Sequence, residues 1–116
     1  MKKLYNVKPF TFYIEVDKKE EIDKYLQDKP YGFSAFVRMI VEKETTKYMP
    51  NVGLENKTYK RVRDYFDKDK KYKMISANIE QIDLRVLDYL AHLQHISTGC
   101  LVRKLLNNEM SKINRR

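Results

Sequence analysis

His92, His95 and Cys100 come nearest to metal or nucleophile chemistry, and their spacing argues against both. The two histidines share a helical face, but no second ligand pair accompanies them, so packing is the expected role and no metal site is assigned. Asp88, Glu109 and the other carboxylates are scattered over polar helix faces, and no nucleophile, base and orienting partner can be assembled. The chain therefore reads as a non-enzyme with no cofactor. Gly32, Gly53 and Gly99 lie too far apart to form a loop that cradles phosphate. What remains is hydrogen-bonding chemistry on two alternating stretches. In residues 10–16, Phe10, Phe12, Ile14 and Val16 alternate with Thr11, Tyr13 and Glu15. In residues 74–79, Ile75, Ala77 and Ile79 alternate with Met74, Ser76 and Asn78. A period of two marks strands with one buried and one presented face.

These are the two good strands in a chain that otherwise reads as helical, so they are expected to pair with each other as an antiparallel ribbon. After the first strand, Asp17 and Glu20 have capping-box spacing, and Ile22, Tyr25 and Leu26 share a face of a short helix over about residues 18–28. Pro30, Tyr31 and Gly32 break it, and Phe36, Val37, Ile40 and Val41 form the stripe of a second helix from Phe33. The second strand is followed by the same order. One helix carries Ile82, Val86, Leu87, Leu90 and Leu93. Another, capped by Ser97, carries Leu101, Val102, Leu105, Leu106, Met110 and Ile113. The offset of 65 residues that carries Arg38 onto Arg103 also brings Ile14 onto Ile79, Ile22 onto Leu87 and Leu26 onto Ala91. This repeat rests on order and spacing, since few letters are shared. Val16 extends the first alternation, so the first helix is expected to start about half a turn later than its counterpart.

The chain has 116 residues, 42% of them hydrophobic, which suits one compact domain. Within it, residues 9–44 read as a first unit, 45–72 as a basic linker and 73–116 as a second unit. In the linker, Tyr59, Val62, Tyr65 and Phe66 could share one helical face opposite Lys57, Lys60, Arg61 and Lys68, so a connecting helix is expected. With 24 Lys and Arg against 16 Asp and Glu, the net charge is +8. That excess argues for a polyanionic partner. No apolar run has the length of a membrane span, and no signal peptide core is present, so a cytoplasmic location and no membrane partner are expected. A single Cys100 cannot form an internal disulfide.

The alternating strand, the helix with Ile22, Tyr25 and Leu26, the turn at Gly32 and Phe36-Val37-Arg38 resemble the ribbon-helix-helix family of DNA-binding proteins. Ile75 to Ile79, Leu87, Leu90, Ala91, Ser97 and Leu101-Val102-Arg103 repeat the pattern. The resemblance implies a mainly α fold with a two-stranded antiparallel β-ribbon, in which two ribbon-helix-helix units are fused in one chain with a helical linker. It further implies a DNA-binding transcription regulator, similar to repressors and other regulators of archaeal viruses, acting in the host cytoplasm if viral. The alternatives are a plasmid-transfer accessory DNA-binding protein and an antitoxin-like protein-interaction module.

The ribbon would enter the major groove of double-stranded DNA, with Thr11, Tyr13, Ser76 and Asn78 against bases; the Asn78 amide can pair bidentately with adenine. Phosphate contacts would come from Lys8, Lys60, Arg61 and Lys73 and from the second-helix N-termini, Gly32, Phe33 and Ser34 in one unit and Ser97 and Thr98 in the other. Ordinary capping is the alternative role for those termini. The face departs from the family pattern of Arg, Lys or Gln readers, and Glu15 would repel phosphate. A homodimer or higher oligomer on DNA is expected.

Overall fold

The computed structural model describes residues 7–48, 59–64, 66 and 69–115. Strand β1 (Val7–Glu15) leads directly into helix α1 (Val16–Leu26), and α2 (Phe33–Thr45) follows the Pro30–Gly32 break. Strand β2 (Tyr72–Glu80) leads into α3 (Gln81–Gln94), and α4 (Thr98–Asn114) ends the described chain. The strands pair with each other, antiparallel, with Thr11 opposite Ser76, Phe10 opposite Ala77 and Phe12 opposite Ile75. Pro9, which cannot donate a ladder hydrogen bond, is tolerated because both strands of such a ribbon are edges.

The register itself carries the internal repeat. Thr11 faces Ser76, and the same offset of 65 residues that links Arg38 to Arg103 links these two, so a pseudo-twofold axis passes between them. Helix starts obey it too: Val16 matches Gln81, and Phe33 matches Thr98. Equivalent core residues are equally dry, with Ile14 and Ile79, Ile22 and Leu87, and Val37 and Val102 at 1% exposure or less. Each such side chain contributes roughly 1.5–3 kcal/mol through burial. The inward ring of Phe10 stacks on Phe12 at 5.7 Å, and the four helices close over this face of the ribbon.

Three expectations are corrected. Two fused ribbon-helix-helix units would need a ribbon each, whereas the described residues form one two-stranded ribbon followed in each half by helices. The halves share that ribbon, and neither is a complete unit. The linker is not helical where it is described: residues 59–64 and 66 lie outside any helix, while Lys57, Tyr65 and Lys68 fall outside the described residues. Single side chains of the linker dock at separate places instead of presenting one continuous stripe. Finally, α1 starts at Val16, level with its counterpart, and no side-chain hydrogen bond caps it after Glu15. The ribbon ends there because the strand runs straight into the helix, so Asp17 is already inside the first turn. Ser97 does cap α4, its Oγ accepting from the Cys100 backbone N–H at 3.0 Å. Among the described residues no helix is long and apolar enough to cross a membrane.

Candidate nucleic-acid interface

Alternation places Thr11, Tyr13 and Glu15 on the outer face of β1, beside Tyr72, Met74, Ser76 and Asn78 of β2. Thr11, Ser76 and Asn78 are exposed, and Thr11 and Ser76 form the cross-strand pair at the pseudo-twofold axis. Lys8, opposite Ile79, and Lys73, opposite Ile14, are related by the same axis; both are exposed near the ends of the ribbon and carry the parity of its inner face. Met74, 62% exposed opposite Tyr13, belongs to the outer face. The alternation carried that signal, but a thioether is a weak hydrogen-bonding group and drew no assignment.

The ribbon is held from both edges by equivalent arginines. Arg38 Nη1 donates to the Asn78 carbonyl at 3.2 Å, and Arg103 Nη1 donates to the Tyr13 carbonyl at 3.0 Å. The Asn78 backbone N–H donates to Ser34 Oγ at 3.4 Å. These bonds satisfy backbone groups that an edge strand would otherwise leave open, and they bring the N-termini of α2 and α4 alongside the ribbon. The Asn78 side chain stays outward while its backbone is fixed, which suits a reader of adjacent donor and acceptor groups. No family model, no curated protein and no solved structure matches the chain.

The two ends of the interface differ. At the α2 end, Gly32 is exposed, with nothing within 4 Å of the position its Cβ would take; Phe33 and Ser34 are half-buried. At the α4 end, Ser97 and Thr98 are buried and already engaged. Ser97 Oγ donates to Asp64 Oδ1 at 2.8 Å, and Thr98 Oγ1 donates to Asp88 Oδ1 at 2.7 Å. The Arg103 guanidinium grips Asp64 in a fork, Nη1 to Oδ2 at 2.6 Å and Nη2 to Oδ1 at 2.8 Å. Those hydrogen bonds raise the Arg103 pKa above its ordinary value, against the opposing effect of burial.

The linker residues are similarly committed. Arg61 Nε donates to Asp88 Oδ1 at 2.9 Å, and its guanidinium lies 5.1 Å from the Phe10 ring centre. Lys60 is exposed. Tyr59 packs edge-on to Tyr89 at 5.3 Å and against His92 at 4.9 Å, which makes His92 a packing partner. Phe66 meets the outward rings of Tyr13 at 4.7 Å and Tyr72 at 5.1 Å. Tyr13 is consequently half-buried rather than open. Of the expected base-facing set, Thr11, Ser76 and Asn78 stand free on one face; of the expected phosphate set, Lys8, Lys73, Lys60 and Gly32 are open. Arg61, Ser97 and Thr98 spend hydrogen bonds within the chain, because Asp88 and Asp64 are within reach.

Proposed function

We propose that this protein binds double-stranded DNA, laying the outer face of its single ribbon in the major groove, and that it does so as a regulator of transcription. The observation that carries this reading is the outer face itself. Thr11, Ser76 and Asn78 project from a ribbon whose backbone is fixed by Arg38 and Arg103, while Lys8 and Lys73 are exposed near its ends, on the parity of the opposite face. A major groove of B-DNA accommodates a two-stranded ribbon, and its base edges carry the donor and acceptor pattern that Asn and hydroxyl side chains can read. The net charge of +8 supplies the long-range attraction.

Equivalent positions hold different residues, Tyr13 against Asn78 and Pro9 against Met74, around a similar central pair. The preferred site is accordingly a broken palindrome, with adenine facing Asn78 in one half.

A binding selection from random duplexes, followed by anisotropy titrations over a salt series, tests the reading. Asn78→Ala should relax one base position by about 1–3 kcal/mol. Lys8→Ala with Lys73→Ala should weaken binding to all sequences and flatten the salt slope by about two. Binding that ignores salt, or a perfect inverted repeat as the preferred site of a single chain, would refute it.

A further inference from the structure

The pseudo-twofold axis gives this chain an internal control, because each end of the interface has an equivalent. Gly32 matches Ser97, Ser34 matches Gly99, Arg38 matches Arg103 and Asn78 matches Tyr13. At the α2 end, Arg38 is half-buried, its Nη1 donates to a carbonyl, and the space over Gly32 is open. At the α4 end, a carboxylate of the linker fills the corresponding place. Asp64 is held by Ser97 and by both terminal nitrogens of Arg103, and its Oδ2 lies 2.9 Å from where a Cβ on Gly99 would stand. Beside it, Phe66 covers Tyr13 and Tyr72 on the outer face, and the Arg103 guanidinium lies 5.7 Å from the Phe66 ring centre.

We propose that Asp64 and Phe66 make the linker an autoinhibitory strap, which occupies the α4 half of the DNA-facing surface and is displaced when that half engages the nucleic-acid backbone. The proposal rests on the DNA-binding reading above. A carboxylate offers a guanidinium and a helix N-terminus the same ligand chemistry as a phosphate oxygen, so the two compete for one set of donors. While the strap is closed, the open half alone meets DNA, and engagement of the α4 half is reduced by the fraction of chains with the strap open. Like charge adds to this, since Asp64 would face an incoming phosphate. Among the described residues the α2 half has no such occupant, so Asp64 and Phe66 act on the α4 half.

The test compares the full chain with Asp64→Asn and Phe66→Ala, using anisotropy on a mixed-sequence duplex across a salt series. Glu44→Gln serves as a charge-matched control, because Glu44 sits near the C-terminus of α2 and pairs with Lys47, away from the ribbon. Asp64→Asn should tighten binding about tenfold and steepen the salt slope by about one, as one more phosphate is engaged. Phe66→Ala should tighten it about threefold, and Glu44→Gln by less than about twofold. Thermal melts followed by circular dichroism establish that each variant is folded; if Asp64→Asn does not melt cooperatively, Phe66→Ala decides alone. Unchanged or weaker binding by folded strap variants, with the wild type still binding in a salt-dependent way, overturns the strap and leaves the DNA reading standing. Absence of salt-dependent binding by every chain, wild type included, overturns both.

Discussion

Arg38 and Arg103 occupy equivalent places in the repeat, and the same substitution in each should cost very different amounts. Replacing either by Met keeps most of the aliphatic stem and removes the guanidinium, so packing loss is held down. Arg38 makes one hydrogen bond, at 3.2 Å, to the carbonyl of Asn78. A bond of that kind is worth a net ~0.5–1.5 kcal/mol, and half-exposure at Arg38 puts the expected loss at the lower end. Arg103 holds the same type of carbonyl and, in addition, both oxygens of Asp64, with side-chain exposures of 10% and 15% for the pair. Its loss leaves the Asp64 carboxylate, at 15% exposure, without its charged partner and with the Ser97 hydroxyl still donating to it, and breaking a buried pair from one side costs about 3–5 kcal/mol, here at the lower end. For a domain with about 5–15 kcal/mol of total stability, that is the difference between a small shift and a marginal fold. Urea denaturation followed by far-ultraviolet circular dichroism, extrapolated linearly, measures both losses. Arg103→Met combined with Asp64→Asn should recover part of the single-variant loss, since the charge left without its guanidinium is gone. Equal losses for the two arginines, or no recovery in the double variant, would refute the reasoning.

Leu87→Ala, which opens a cavity at a fully buried position, should cost about 2–5 kcal/mol in the same denaturation assay, whereas Leu93→Ala, at 54% exposure on the same helix, should stay within about 0.5 kcal/mol. His95 ends α3 in the left-handed region at φ 59°, with its N–H donating to the His92 carbonyl and the Ile96 N–H donating to the Ala91 carbonyl. That arrangement favours glycine, so His95→Gly should raise stability by about 0.5 kcal/mol, read as a higher melting temperature.

The ribbon was legible because alternation at Phe10, Phe12 and Ile14 and at Ile75, Ala77 and Ile79 is local and has one meaning. The spacing of the halves was legible at Val37-Arg38 and Val102-Arg103, and the observed register places Thr11 opposite Ser76 at that same offset. The start of α1 was not, since Val16 continues an apolar alternation while adopting helical geometry; position in a pattern does not fix backbone conformation. The linker misled for a different reason. Tyr59, Val62 and Phe66 have helical spacing, but Tyr59 docks on α3, Phe66 docks on the ribbon, and Val62 is 58% exposed. Tertiary contacts at separate places overrode the local period. Asp64 was hardest to read: one acidic residue in a basic stretch looks like a solvated ion pair, and nothing local says that its partner is Arg103.

Because β1 and β2 belong to one chain, formation of the ribbon does not depend on concentration. Two separate chains meeting at nanomolar levels must overcome roughly 12 kcal/mol of dilution before a shared ribbon gains anything. Here the connection between Thr45 and Tyr72 replaces that with a loop-closure term on the order of 3 kcal/mol, set once by its length. A single molecule therefore carries a finished ribbon, and the number of ribbons scales with the first power of copy number rather than with the square. The outer face of the ribbon is thus complete in each chain as it folds, with no threshold concentration for pairing its two strands.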